Sequence, residues 1–328
     1  MAGNVVRQLT GNGSGQSFTD IITSAKLSFI GSNVAKIICK ATTEELQPPK
    51  LKHLESLKTY TMDPMLSVPE FSNFLLNRLR HSNWVVVFKA LITIHHLMHY
   101  GNDKFSEYLA SCYSTITVPN IVEKYERARQ MNSLIQVYAN YLSDKSKSYQ
   151  LAGCDFCKIK RGKPPSNHEK STEKAPLEFY DNFAPISDEN NLRKMSETKL
   201  FKTIPILEVQ LDSLIKVQFT THELKCPIVL AAHLLMYKDL IRLYAVYNEG
   251  MINLIDKFFN MDKRKRCEEA LKLFNSYITR LEKLNNYVKK SEESNLNLIP
   301  KMSSEQSVIF QPINCVCLTK LILINAEG

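Results

Sequence analysis

The sequence predicts an all-α protein. Three observations carry this reading. Only 10 glycines occur in 328 residues, too few for the many tight turns of a sheet protein. Apolar residues recur at helical spacing over residues 54–150 and again over about 199–290. Strand-like content is confined to residues 308–310 and 315–324, and an orphan strand cannot satisfy its backbone.

The elements follow in order. Residues 1–15 end in Gly11-Asn12-Gly13-Ser14-Gly15 and read as a flexible leader. They resemble a phosphate loop only superficially, since no strand precedes them and the Gly-Lys-Ser/Thr ending is absent. Next, Phe18, Ile21, Ile22 and Ala25 recur at helical spacing, and Ser17 can cap. Such an amphipathic helix either packs on the protein, its commoner fate, or lies in a bilayer interface.

Residues 39–53, CKATTEELQPPKLKH, hold the most informative pattern. Pro48-Pro49 ahead of a periodic segment marks a helix start. Lys50, Lys52 and His53 then crowd the N-terminus of that helix, with Lys40 shortly before them. Unpaired N–H groups and the helix dipole favour an anion there, so lysines oppose the dipole unless something negative joins them. A doubly phosphorylated ligand resolves the conflict; a solvated lysine-rich turn is the plainer reading.

Breaks at Asp63-Pro64, Ser82-Asn83, Tyr100-Gly101-Asn102 and Val118-Pro119 divide the first helical half into ordinary helices. Residues 162–191, rich in Pro, Ser, Asn, Lys and Glu, predict a long mobile loop. In the second half, residues 228–246 are apolar nearly all round and predict a buried central helix. Residues 300–328 predict a poorly ordered tail.

Composition narrows the function classes. Hydrophobic residues at 44% and charged residues at 23% suit a globular chain of one or two domains. A net charge of +9 points to an acidic partner, either nucleic acid or an anionic membrane face. No stretch reads as a signal peptide or a membrane-spanning helix, because the apolar run 316–324 is short and broken by Lys320. The Met-Ala-Gly start does not fit myristoylation. Eight scattered cysteines suit reduced thiols in the cytosol.

Other candidate chemistry reads as structural. His95 and His99 of the HHLMH run share a helix face as metal ligands do, but His96 stands where a metalloprotease needs glutamate. Packing or capping is the expected role, and no metal or other cofactor is expected. Cys154 and Cys157 lack a second pair to complete a zinc site. His233, inside the apolar central helix, is expected to be a hydrogen-bonded core residue. Residues 263–266, KRKR, are either a nucleic-acid or import patch or a solvated helix connection. No nucleotide fingerprint, nucleophile elbow or kinase signature occurs, so no enzyme is expected.

Several stretches together are similar to one family. GQSFTD at 15–20, CKATT at 39–43 with Lys50, Lys52 and His53, WVVVFKALITIHHLM at 84–98 followed by Tyr100-Gly101-Asn102, and YNEGMINLIDKFF at 247–259 resemble the ANTH domain. This is the phosphoinositide-binding module of clathrin-assembly adaptors. The resemblance covers about residues 14–299. It implies a helical solenoid, an ANTH/ENTH-like superhelix over residues 16–299, interrupted at 162–191 and flanked by the leader and a divergent tail. It implies a peripheral adaptor that holds phosphatidylinositol 4,5-bisphosphate on the cytoplasmic face of the plasma membrane, in clathrin-coated pits and vesicles, with clathrin and its adaptor complex as partners.

By the same resemblance, Lys40, Lys50, Lys52 and His53 are the headgroup ligands. Leu51 departs from the pattern, since close relatives carry another lysine there. Phe18, Ile21 and Ile22 fall in the leading helix that inserts into membranes. Ile255 and Leu281 align with apolar contacts for a vesicle-associated SNARE helix. No Asn-Pro-Phe or Asp-Pro-Phe occurs, so direct clathrin binding rests on the resemblance alone. No nucleic acid is expected as a partner. A nucleic-acid-binding helical protein using residues 263–266 remains the rival, with a lipid-independent peptide scaffold as a third reading.

Overall fold

The computed structural model describes residues 33–111, 116–119, 126–159, 190–261 and 264–294. Among them no strand occurs. The helices are α1 (Asn33–Ala41), α2 (Leu51–Met62), α3 (Val68–Arg78), α4 (Trp84–Tyr100), α5 (Asp103–Ser111), α6 (Glu126–Ala152), α7 (Glu197–Lys216), the single turn α8 (Thr221–Leu224), α9 (Pro227–Phe258) and α10 (Arg264–Ser294). A 3₁₀ turn, Phe156–Lys158, follows α6.

Local chemistry sets many of the ends. The Asn83 side chain accepts a hydrogen bond from the Val85 N–H and starts α4. Thr220 and Glu223 form a reciprocal capping box at α8. Pro227 occupies the first position of α9, where its missing N–H costs nothing. Gly153 ends α6 at a φ of 72°, a left-handed conformation that favours glycine.

Packing proceeds stepwise along the chain. Helix α1 packs on α2, α3 and α4; α4 and α5 pack on α6; α6 packs on α7; and α9 and α10 pack on α7 and on each other. One hydrophobic core runs through this stack from Ile38 to Val288. All of α4 except Tyr100 is buried. Helix α9 begins within a residue of the predicted central helix and extends well past it, with Ile228, Val229, Met236, Leu240 and Leu243 fully enclosed. Gly250 of α9 is needed for a close approach: an added Cβ would meet Leu192 Cδ2 at 2.9 Å. Three residues along, Asn253 donates to the carbonyls of Leu192 and Met195 at 2.6 and 2.9 Å, fastening the segment that leads into α7.

Several expectations lie outside the described residues. These are the leader 1–15, the helix bearing Phe18, Ile21 and Ile22, nearly all of the loop 162–191, and the tail 300–328. At the end of that loop, Asn191 is described: it is buried, and its side chain accepts from the Arg193 N–H at 2.9 Å.

Candidate functional site

Lys40 lies in the last turn of α1 and is exposed, between buried Cys39 and Ala41. Lys50 caps α2 through its backbone: its carbonyl accepts from the N–H groups of His53 at 2.9 Å and Leu54 at 3.3 Å. Its side chain does no capping. Lys52 is exposed on the first turn and His53 is half-buried.

The loop joining α1 to α2 is pinned from beneath by two buried cations. Arg78 of α3 donates to Thr42 Oγ1 at 2.8 Å and to the Thr42 carbonyl at 2.7 Å. Lys89 of α4 donates to Thr43 Oγ1 at 2.8 Å and to the Glu45 carbonyl at 3.3 Å. Hydrogen bonds from charged donors are the strong ones, so this loop has a fixed path.

These bonds bring the four sequence-predicted residues into one electrostatic neighbourhood. Burial, then the charges of Lys52, Lys40, Lys50 and Lys89, push the His53 imidazole below its ordinary pKa. Among the described residues the nearest carboxylate contact is loose: Glu45 Oε2 stands 4.0 Å from Lys50 Nζ, with Lys50 exposed and Glu45 half-buried. Such a pair contributes little. Unlike-charged ligand is thus what the cluster lacks. An incoming phosphate would answer the lysines and the N-terminus of α2 together.

A second polar constellation is sealed in the core. Asp239 of α9 is fully buried and accepts from His95 Nε2 at 2.8 Å, Tyr141 OH at 2.5 Å, Lys145 Nζ at 2.7 Å and His99 Nδ1 at 3.1 Å. A carboxylate only accepts, so both histidines present an N–H to it. His95 Nδ1 then accepts from Tyr138 OH at 2.8 Å. Burial opposes the charge of Asp239, but Lys145 and the histidines hold its carboxyl well below the usual range. Burial likewise opposes the Lys145 ammonium, while Asp155 and Asp239 hold its pKa above normal. Burial pushes His95 and His99 down. The HHLMH run therefore ties α4 to α6 and α9. Cys154 and Cys157 are buried, and burial raises both thiols. His233 packs edge-on to Phe219, and burial pushes its pKa down to about 4.

The remaining candidates divide. Of the described residues of the basic run 263–266, Arg266 pairs with Glu197, and Arg264 is highly exposed and makes a surface pair with Glu268 at 3.2 Å. Ile255 lines a small, shallow apolar groove between α9 and α10, together with Leu254, Phe258, Ala270, Leu271 and Phe274. Leu281 is buried farther along α10 and does not line that groove. Among the described residues no helix is long and apolar enough to cross a membrane.

The ANTH domain model matches residues 33–306. This chain belongs to the ANTH domain family. Over 91% of its length it is 36% identical to the phosphatidylinositol-binding clathrin assembly protein LAP of Drosophila melanogaster, of which it spans 62%. It is 37% identical over 92% of its length to the human phosphatidylinositol-binding clathrin assembly protein, spanning 42% of it. Human clathrin coat assembly protein AP180 is 35% identical over the same share and is spanned to 30%. The chain thus spans less than two thirds of each of these relatives. ANTH architecture is also seen in three dimensions: the cryo-EM structure of helical ANTH and ENTH tubules on PI(4,5)P2-containing membranes superposes with a TM-score of 0.58 at 15% identity, covering 85% of this chain and 98% of that one.

Within this ANTH fold the anchoring residues were not singled out from sequence. A signal for two of them exists. Lys89 is a lone charge inside an apolar helical run, and Asp239 sits in a largely apolar helix beside Lys238; a buried charge in such a place requires a partner. Periodicity does not say which partner.

Proposed function

We propose that this chain binds membranes containing phosphatidylinositol 4,5-bisphosphate through Lys40, Lys50, Lys52 and His53. It acts as a peripheral adaptor in clathrin coat assembly and clathrin-mediated endocytosis, on the cytoplasmic face of the plasma membrane. The observation that carries this reading is the contrast in lysine pairing. Lysines 89, 145 and 158 are buried with built-in acceptors, whereas Lys40, Lys50 and Lys52 face solvent around a helix N-terminus with one loose carboxylate nearby. That the ANTH relatives are phosphatidylinositol-binding clathrin assembly and clathrin coat assembly proteins supports it. The role is adhesive and organising; no catalytic step is part of it.

Residues 16–299 form the lipid-binding unit in this reading, and Phe18, Ile21 and Ile22 add membrane insertion. Clathrin and its adaptor complex are partners of the full-length protein. The α9–α10 groove, with Ile255 in its wall, supports a second role in accepting an apolar SNARE helix.

Sedimentation with vesicles tests the main claim. Each basic residue near an anionic membrane contributes on the order of 1 kcal/mol. Replacing Lys50 and Lys52 by glutamate should remove roughly 4 kcal/mol of attraction, since four charge units change, and abolish co-sedimentation with phosphatidylinositol 4,5-bisphosphate vesicles. A folded double variant that sediments as wild type does would move the lipid site elsewhere, with residues 263–266 next in line. A gel-shift assay at matched salt addresses the nucleic-acid rival.

A further inference from the structure

We infer that Leu46 and Leu51 form an apolar wedge that enters an anionic lipid surface at the rim of the lysine cluster, so that headgroup and acyl boundary are read by one loop. This rests on the phosphoinositide reading above. Leu46 is 45% exposed and Leu51 67% exposed. Isolated exposed leucines are common and need no explanation. These two are not isolated from the site. Leu51 is the first residue of α2, directly between Lys50 and Lys52. Leu46 adjoins Glu45, whose carboxylate stands 4.0 Å from Lys50 Nζ.

Their exposure is built rather than slack. Arg78 and Lys89 tie Thr42, Thr43 and Glu45 to α3 and α4. Pro49 and Leu54 turn inward and are buried, so the same stretch has inward positions, and the two leucines do not take them. A fixed loop therefore presents two apolar side chains beside exposed lysines.

The occupant must answer both chemistries at once. It must carry anions at its surface and apolar groups within a leucine's length beneath. A leaflet with phosphorylated headgroups has that layering, and amphipathic elements that lie on membranes combine basic and apolar residues in this way. Lysines hold the phosphates; the leucines sit at the level of the glycerol and first methylenes. Attraction from charge weakens with salt, whereas burial of apolar surface does not, so the wedge supplies a salt-resistant part of binding.

Glutamine at both positions keeps the charge and approximate size. Leu46→Gln with Leu51→Gln should bind phosphatidylinositol 4,5-bisphosphate vesicles on the order of tenfold more weakly, from the lost burial of two leucines. Binding of soluble inositol 1,4,5-trisphosphate should be unchanged, and the salt-resistant fraction of vesicle binding should shrink, leaving the share that Phe18, Ile21 and Ile22 supply. Both positions are exposed, so the variant should unfold as wild type does. Equal loss for vesicles and for the soluble headgroup would overturn the wedge, since the leucines would then be shaping the lysine site. Unchanged vesicle binding would also overturn it. A wild-type chain that binds neither probe refutes the phosphoinositide reading itself, and the wedge with it; a wild type that binds the soluble headgroup while the variant alone loses vesicles supports both.

Discussion

Lys145 and Lys50 carry the same ammonium into opposite environments. Lys145 is sealed among helices and finds Asp239 at 2.7 Å and Asp155 at 3.8 Å. Lys50 keeps 54% of its side chain exposed and, among the described residues, has Glu45 alone as an acidic partner, at 4.0 Å. A buried charge without a partner is expensive, so folding itself completes the core cluster. An exposed charge is cheap to leave unpaired, because water solvates it. Only at the surface, then, does the fold leave cations for an outside anion. Lys89 joins the two regions: it is 2% exposed, yet its bonds shape the surface loop.

This comparison can be broken at several points. The largest stability effect should come from Asp239→Ala, which removes the closest partner of Lys145 and leaves it Asp155 at 3.8 Å. Removing one partner of a buried pair costs about 3–5 kcal/mol, measurable by urea denaturation, and a loss below about 1 kcal/mol would mean that the cluster is not a structural clamp.

Acidification should act next. Burial depresses His95 and His99, His96 to about 3 and His233 to about 4. Below pH 6.5 the unfolded chain takes up protons that the folded chain refuses, so stability falls as pH falls. Each histidine adds a slope of up to about 1.4 kcal/mol per pH unit. Asp239, with its depressed pKa, adds a further loss below about pH 4 as the unfolded carboxylate protonates first. Thermal melts from pH 7.5 to 5 should show the first fall, and a flat profile would contradict it.

Lys89→Met separates loop shaping from core stability. It should cost about 1–3 kcal/mol, for lost bonds from a charged donor, and should also weaken vesicle binding although Lys89 does not face the ligand. Lys89→Arg should recover part of both.

The smallest stability change belongs to the surface. Lys50→Glu with Lys52→Glu should shift the unfolding midpoint by less than about 0.5 kcal/mol while removing vesicle binding. His53 sharpens the surface half further. Burial and its lysine neighbours depress its pKa in the unliganded protein, and a bound phosphate reverses the lysines' effect. Binding should therefore take up a proton and strengthen as pH falls from 7.5 towards 5.5. His53→Gln should flatten that dependence.

Much of this was legible in the chain itself. Glycine scarcity and the 3.6-residue period determined the helical class, and Asn83, Pro49 and the Tyr100-Gly101-Asn102 break marked helix ends to within a residue or two. Those signals are local: a cap, a proline and an apolar stripe act within one or two turns. The grouping of Lys50, Lys52 and His53 was equally local, because they share one helix start. Tertiary structure alone decided the rest. His95 and Asp239 stand 144 positions apart, and Arg78 and Thr42 stand 36 apart. Which buried polar groups meet depends on how helices stack, and a helical period records only that a face turns inward, not what it turns towards. The same stacking decided which acceptors Lys89 meets: Thr43 and the Glu45 carbonyl, 46 and 44 positions away.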